Sequence, residues 1–134
     1  MQLSKSVPGS DLGPITDLVI SNSFDSVMVT AATAKTPILY VNEAFTQLTG
    51  YTSEEVLGKS PSLLQGADTD PAVLDQLRKD LGAGRNFEGT ATNYRKDGTP
   101  FTMHWRVAPV RSGQDEVHYF IAVQRQGVTV HGPG

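Results

Sequence analysis

Short apolar runs alternate with polar loops at the start of the ordered pattern. Ser26 to Thr30 (SVMVT) and Ile38 to Val41 (ILYV) are β-branched stretches on either side of a polar loop containing Pro37, and they predict two strands. Over the next forty or so residues the apolar spacing lengthens to a helical period. Asn42 can cap a first helix whose buried side carries Phe45 and Leu48 and which Gly50 ends. Thr52 and Glu55 have the spacing of a capping box for a short second helix, stopped by Gly58. A third helix is the clearest: Asp70 caps it, Pro71 takes its first position, Leu74, Leu77 and Leu81 form its stripe, and Gly82 closes it. Strands resume at Phe87 to Arg95, turn at Asp97-Gly98, return over Phe101 to Val110, turn again at Ser112-Gly113 and finish with Val117 to Arg125. Two strands, three helices and three strands predict an α+β fold, an antiparallel sheet with helices packed on one face.

Outside this pattern, residues 1–14 are rich in Ser, Gly and Pro and read as a flexible arm. Ile15, Leu18 and Val19 give residues 15–23 the i, i+3, i+4 spacing of a short amphipathic helix. The domain proper is expected over 24–126, with a tail at 127–134.

Strand parity brings the first chemistry. In the strand from Phe101, one face carries Phe101, Met103, Trp105, Val107 and Pro109, and the other carries Thr102, His104 and Arg106. If Phe87 and Phe120 point into the core, Asn93 and Gln124 point there as well. Buried amides must be paired. Two readings stand: the amides bond to loop backbone, or they recognise a planar heterocycle by its donors and acceptors. The last strand also turns Tyr119, Ile121 and Val123 to the opposite face, where an apolar stripe calls for a cover.

Composition narrows the classes. The 134 residues include no cysteine, which removes disulfides, thiolate metal sites and thiol nucleophiles. A net charge of −3 argues against a protein that coats nucleic acid. No apolar run approaches membrane-spanning length, so a cytoplasmic protein without membrane contact is expected. His104, His118 and His131 lack ligand spacing, and each reads as a surface histidine. Asp68 and Asp70 are neighbours, but Asp70 is needed as a cap. No metal site and no enzyme are expected.

The stretch ILYVNEAFTQLTGYTSEEVLGKSPSLLQGADTD, then NYRKDGTPF, then YFIAVQ, resembles a PAS domain of the LOV (light-oxygen-voltage) branch from about Ser26 to Arg125. The resemblance implies a five-stranded antiparallel sheet whose helices enclose a ligand cavity, and FMN as the ligand. Position by position, Gln65 matches a glutamine near the ribityl chain and Arg78 the second phosphate-binding arginine. Asn93 matches an asparagine on the pyrimidine edge, and Gln124 the glutamine that contacts the flavin near O4 and N5.

Departures are equally specific. Where the family motif reads G-x-N-C-R-F-L-Q-G, this chain has Gly58-Lys59-Ser60-Pro61-Ser62-Leu63-Leu64-Gln65-Gly66. Pro61 replaces the photoactive cysteine, so no flavin–cysteinyl adduct can form. Ser60 and Ser62 replace an asparagine and the first phosphate-binding arginine. Met103 stands where a second ring-binding asparagine is expected, and Trp105 where the family has a large apolar residue facing the cavity. A lost guanidinium–phosphate bond costs about 1.5–3 kcal/mol and a lost amide bond about 1. Together that is roughly two to four powers of ten in affinity.

The expectation is a sensory domain that binds a flavin without cysteinyl photochemistry and signals by flavin redox state or ligand occupancy. A flavin-free PAS module, for dimerisation or for another small ligand, is the alternative. PAS domains pair through the outer sheet face, so the resemblance also implies a homodimer with the helix at 15–23 in the interface.

Overall fold

The computed structural model describes residues 25–111 and 116–127. Strands β1 (Ser26–Ala31) and β2 (Ile38–Val41) come first. Helices α1 (Glu43–Thr49) and α2 (Ser53–Val56) follow, then a 3-10 turn (Pro61–Leu64) and helix α3 (Pro71–Gly82). Strands β3 (Phe87–Tyr94), β4 (Pro100–Arg111) and β5 (Val117–Gln126) complete the chain. They form one five-stranded sheet in the order β2-β1-β5-β4-β3, with every neighbouring pair antiparallel. The sheet and its helices are those the sequence predicts.

The strand order explains the hollow. β2 lies at one edge of the sheet and β3 at the other, so the connection between them must cross a whole face. The helices make that crossing, and they cover the inner face that holds Met28, Phe87, Phe101, Met103, Trp105, Val107 and Ala122. Phe45, Val56 and Leu64 enter the same core from the helical side.

Caps sit where the sequence puts them. Asn42 Oδ1 accepts from Phe45 N at 3.1 Å and from Val27 N at 2.9 Å, so one side chain starts α1 and ties it to β1. Thr52 and Glu55 exchange both bonds of a capping box. Asp70 Oδ1 accepts from Ala72 N at 2.9 Å, with Pro71 in the first turn of α3.

Three expectations need correction. Gly82 does not close α3. Gly84 does, with φ +73°. Arg85 N bonds Asp80 O at 2.8 Å and Gly84 N bonds Leu81 O at 3.0 Å, the paired bonds of a Schellman stop two residues further on. The helical stretch also has a fourth segment, the 3-10 turn at Pro61, too short to leave a periodic signal. Arg95 has left β3, because its N–H bonds Thr99 O and its carbonyl accepts from Gly98 N in the hairpin turn. The helix at 15–23, the turn at Ser112-Gly113 and His131 lie outside the described residues.

That hairpin is anchored to the helices. Lys96 N bonds Thr49 O at 2.8 Å, and Arg95 Nε donates to Leu48 O at 3.2 Å with its guanidinium 4.6 Å above the Phe101 ring. The Lys96 ammonium pairs with Glu55, and with the Thr52 N–H it holds the Glu55 carboxyl below the usual range. On the outer face, Val27, Val29, Tyr40 and Tyr119 form a second apolar cluster, joined by half-buried Ile121 and Val123. Burial there pushes the Tyr119 phenol up.

Candidate functional site

Between the inner face and the helices lies a cavity of about 400 Å³, within the range of small-molecule sites. Its apolar walls include Met28, Leu64, Leu74, Leu77, Leu81, Val107 and Phe120. The eight residues expected to contact a ligand all line it. Asn93, Met103, Trp105 and Gln124 do so from the sheet, and Ser60, Ser62, Gln65 and Arg78 from the helical side, with Pro61 between the serines.

At the sheet end, the strand ladder sets the geometry. Trp105 pairs with Gln124 across β4 and β5, and Asn93 pairs with Phe101 across β3 and β4. Asn93 and Gln124 are each 3% exposed, so their amides are held by the sheet away from bulk water. Neither bonds to loop backbone, the first of the two sequence readings. Gln124 Oε1 accepts from the Ser26 hydroxyl at 2.9 Å, and Asn93 Nδ2 makes a long 3.4 Å contact to Ala91 O on its own strand. Both side chains line the cavity. Trp105 is also buried, its ring centroid 5.1 Å from that of Phe87 at 52°.

The helical end is built differently. Ser60 Oγ accepts from Ser62 N at 3.2 Å and so serves the 3-10 turn as its cap. That part of the expected ligand contact is spent on the fold. Ser62 is exposed, its own hydroxyl uncommitted among the described bonds. Arg78 is 69% exposed, and its Nη1 donates to Asp75 Oδ1 at 2.7 Å one turn earlier on α3. Such an exposed pair is worth about 0–1 kcal/mol, so a phosphate could take the guanidinium over at little cost.

The segment joining the two ends is clamped. A Cβ on Gly66 would stand 2.3 Å from the Tyr94 ring, which fits only against a residue without a side chain. The Tyr94 hydroxyl accepts from Asp68 N at 2.9 Å, and the Thr69 hydroxyl donates to Thr92 O at 2.6 Å. These bonds fasten the loop after Gln65 to β3.

Sequence reading missed Ser26. It is 3% exposed, faces Gln124 directly in the β1–β5 register and bonds it. Parity in β1 was the available signal, since Ser26, Met28 and Thr30 share one face and all three are buried. Thr30 and Thr36 also line the cavity without having been picked out. His104 and His118, the described histidines, do not line the cavity. His104 lies on the outer face between Thr90 Oγ1 at 3.0 Å and Glu88 Oε2 at 2.9 Å.

A sheet hollowed over a cavity with inward amides is the arrangement of a small-molecule sensor module, and the comparisons agree. The chain belongs to the PAS domain family, whose profile matches residues 25–125. Within it the chain is of the light-oxygen-voltage type. It is 42% identical over 88 residues to phototropin-1A of Oryza sativa subsp. japonica, covering 66% of this chain and 10% of that protein. It is 43% identical over 88 residues to blue-light-activated histidine kinase 1 of Erythrobacter litoralis, covering 66% of this chain and 24% of the relative. The chain thus spans from a tenth to a quarter of the length of these relatives. Among solved structures, one described as "Flavin Analogue Sheds Light on Light-Oxygen-Voltage Domain Mechanism" superposes with a TM-score of 0.81 at 30% identity, over 87% of each chain. The LOV domain of the Erythrobacter litoralis EL346 blue-light-activated histidine kinase gives 0.72 at 33% identity, over 76% of this chain and 94% of that one. Among the described residues, no helix is long and apolar enough to cross a membrane.

Proposed function

We propose that this domain binds a flavin, FMN by preference, in the central cavity, and reports its occupancy or redox state without a covalent step. One observation carries the reading: two buried amides, Asn93 and Gln124, line an otherwise largely apolar cavity from the sheet. A ligand edge with matching donors and acceptors can pair such amides. A flavin ring presents a polar edge to such a pair and a flat apolar body to Leu64, Leu74 and Leu77. Arg78 and the Ser62 hydroxyl would hold its phosphate at the mouth, and Gln65 would face the ribityl chain. Bound, the flavin supplies blue-light absorption and reversible electron storage. Pro61 has no nucleophile, so the domain's response runs through non-covalent contacts at Gln124 and the sheet. The role is sensory and non-catalytic, within a cytoplasmic protein that does not contact nucleic acid or membrane.

The test is the absorption spectrum of the purified domain after reconstitution with FMN. A structured blue band that stays with the protein through gel filtration supports the reading. A colourless protein overturns it and leaves a flavin-free module. The same proposal has two copies pair through the outer face that carries Tyr119 and Ile121. Ile121→Asp should then halve the mass seen by light scattering, and identical monomeric masses for both proteins would remove the dimer.

A further inference from the structure

We propose that Thr36 is a specificity-determining residue: it closes the end of the cavity remote from Asn93 and Gln124 and limits the ligand that fits there. Strand register gives the cavity two ends. Phe120, Ala122 and Gln124 line it along one face of β5. Gln124 lies beside Ser26 and Trp105, whereas Phe120 lies beside Thr30 and Pro109, four residues or about 13 Å away. Beyond Thr30 and Ala31 the chain enters the loop that carries Thr36, and it returns at Ile38, opposite Thr30. Half-buried Thr36 therefore joins the cavity wall at the Phe120 end.

The backbone here is strained. Among the described residues, Lys35 and Thr36 alone combine a side chain with a positive φ, at +69° and +41°. Left-handed backbone suits glycine or asparagine and is most adverse to a β-branched residue. The flanks enforce it. Ala31 N bonds Pro37 O at 3.0 Å, and Ile38 is bonded twice to the turn before Ser60: its N–H donates to Lys59 O at 2.9 Å, and its carbonyl accepts from Gly58 N at 2.8 Å. Strain over-determined in this way concentrates at ligand sites. The turn's own bond, from Thr36 N to Thr33 O at 2.9 Å, needs only a backbone N–H. Nothing in the turn calls for a branched side chain; the cavity it lines does.

The closure does not depend on which ligand is bound, whereas its effect on specificity rests on the flavin reading above. With the polar ring edge at Asn93 and Gln124, the three fused rings carry their opposite, dimethylbenzene edge toward Phe120, Thr30 and Thr36. Two methyl groups meet the wall there. A larger substituent on that edge would press on Thr36, whose backbone is pinned on both sides and cannot yield cheaply.

The experiment has two arms. Thr36→Gly removes the wall and suits the left-handed backbone, whereas Thr36→Val keeps the branch. In the flavin-free protein, the Thr30 methyl belongs to a residue only 6% exposed. Its relaxation by a soluble nitroxide should rise in Thr36→Gly and keep its wild-type value in Thr36→Val. The urea midpoint of Thr36→Gly should not fall, which separates an opened wall from a loosened fold. Unchanged relaxation in Thr36→Gly, or a lower midpoint, would overturn the closure. In the flavin-loaded protein, wild type and Thr36→Val should prefer FMN over its 8-dimethylamino analogue by about ten- to a hundredfold, and Thr36→Gly should cut that preference about tenfold. A bound flavin whose preference ignores Thr36→Gly would overturn the role in specificity. If wild type takes up neither flavin while the Thr30 methyl still responds, the flavin reading falls and the closure by Thr36 stands.

Discussion

The two ends of the cavity solve recognition in opposite ways. At the sheet end, Asn93 and Gln124 project from paired strands, are almost fully buried and are each turned by a bond to a strand neighbour. At the helical mouth, Arg78 lies exposed on α3 and shares its charge with Asp75, and Ser60 is committed to a cap. Rigid, dry amides discriminate strongly because a mismatch strands a buried polar group. A solvated guanidinium discriminates weakly because water and Asp75 replace whatever it loses. On the proposed reading, a flavin would be identified by its ring at the sheet end and only tethered by its tail at the mouth.

The largest expected effect comes from removing one amide. Asn93→Leu keeps the side-chain size but leaves the ring edge unanswered, and flavin affinity in a fluorescence titration should fall about ten- to a hundredfold. A smaller loss than at the mouth would break the comparison outright. Gly66→Ala should come next, since its Cβ would press on the Tyr94 ring. Overpacking of this kind costs about 1–3 kcal/mol, read as a lower urea midpoint, and it should weaken ligands at both ends of the cavity together.

Arg78→Ala sharpens the contrast from the other side. FMN should weaken about three- to tenfold and riboflavin, which has no phosphate, hardly at all. Equal losses for the two ligands would show that Arg78 does not meet the phosphate. Trp105→Phe should brighten bound flavin while leaving affinity nearly unchanged, and an unaltered quantum yield would place the indole away from the ring.

The smallest effect lies away from the cavity. Lys96 and the Thr52 N–H hold the Glu55 carboxyl below its ordinary value of 4.5 in the folded state. Its contribution is therefore present above that value and is lost as the pH falls through the lowered one. Acid unfolding of Glu55→Gln should differ slightly from wild type near pH 7 and converge with it in strong acid. Flavin affinity should follow neither curve.

Much of this was legible in the chain. The caps at Asn42, Thr52 and Asp70 are local events, fixed by side chains within three residues of the bonds they make, and sequence spacing reveals them. Parity placed Asn93 and Gln124 inside because a strand offers only two faces. The stop of α3 escaped, because Gly82 and Gly84 are both plausible and the choice depends on how far Ala83 and Arg85 wind onto the helix carbonyls. Ser26 escaped for a different reason. Its partner is Gln124, and only the pairing of β1 with β5 brings the two together. Parity in β1 marks Ser26 as sharing a face with Met28 and Thr30, but not which residue it meets.

The leucine stripe of α3 has a thermodynamic meaning of its own. No residue of that helix is fully buried, and Leu74, Leu77 and Leu81 line the cavity, Leu77 and Leu81 also packing against the edge of the core. Apolar side chains against a hollow lack part of their dispersion contacts. Whatever fills the hollow supplies those contacts, and it binds the folded chain alone. If the cavity binds a flavin as proposed, the amides of α3 should exchange with solvent through local opening and slow as the logarithm of free ligand rises, by about 2.7 kcal/mol at a hundred times the dissociation constant. On that same proposal, the guest would complete the packing of α3 and its occupancy would be felt at the outer surface of that helix.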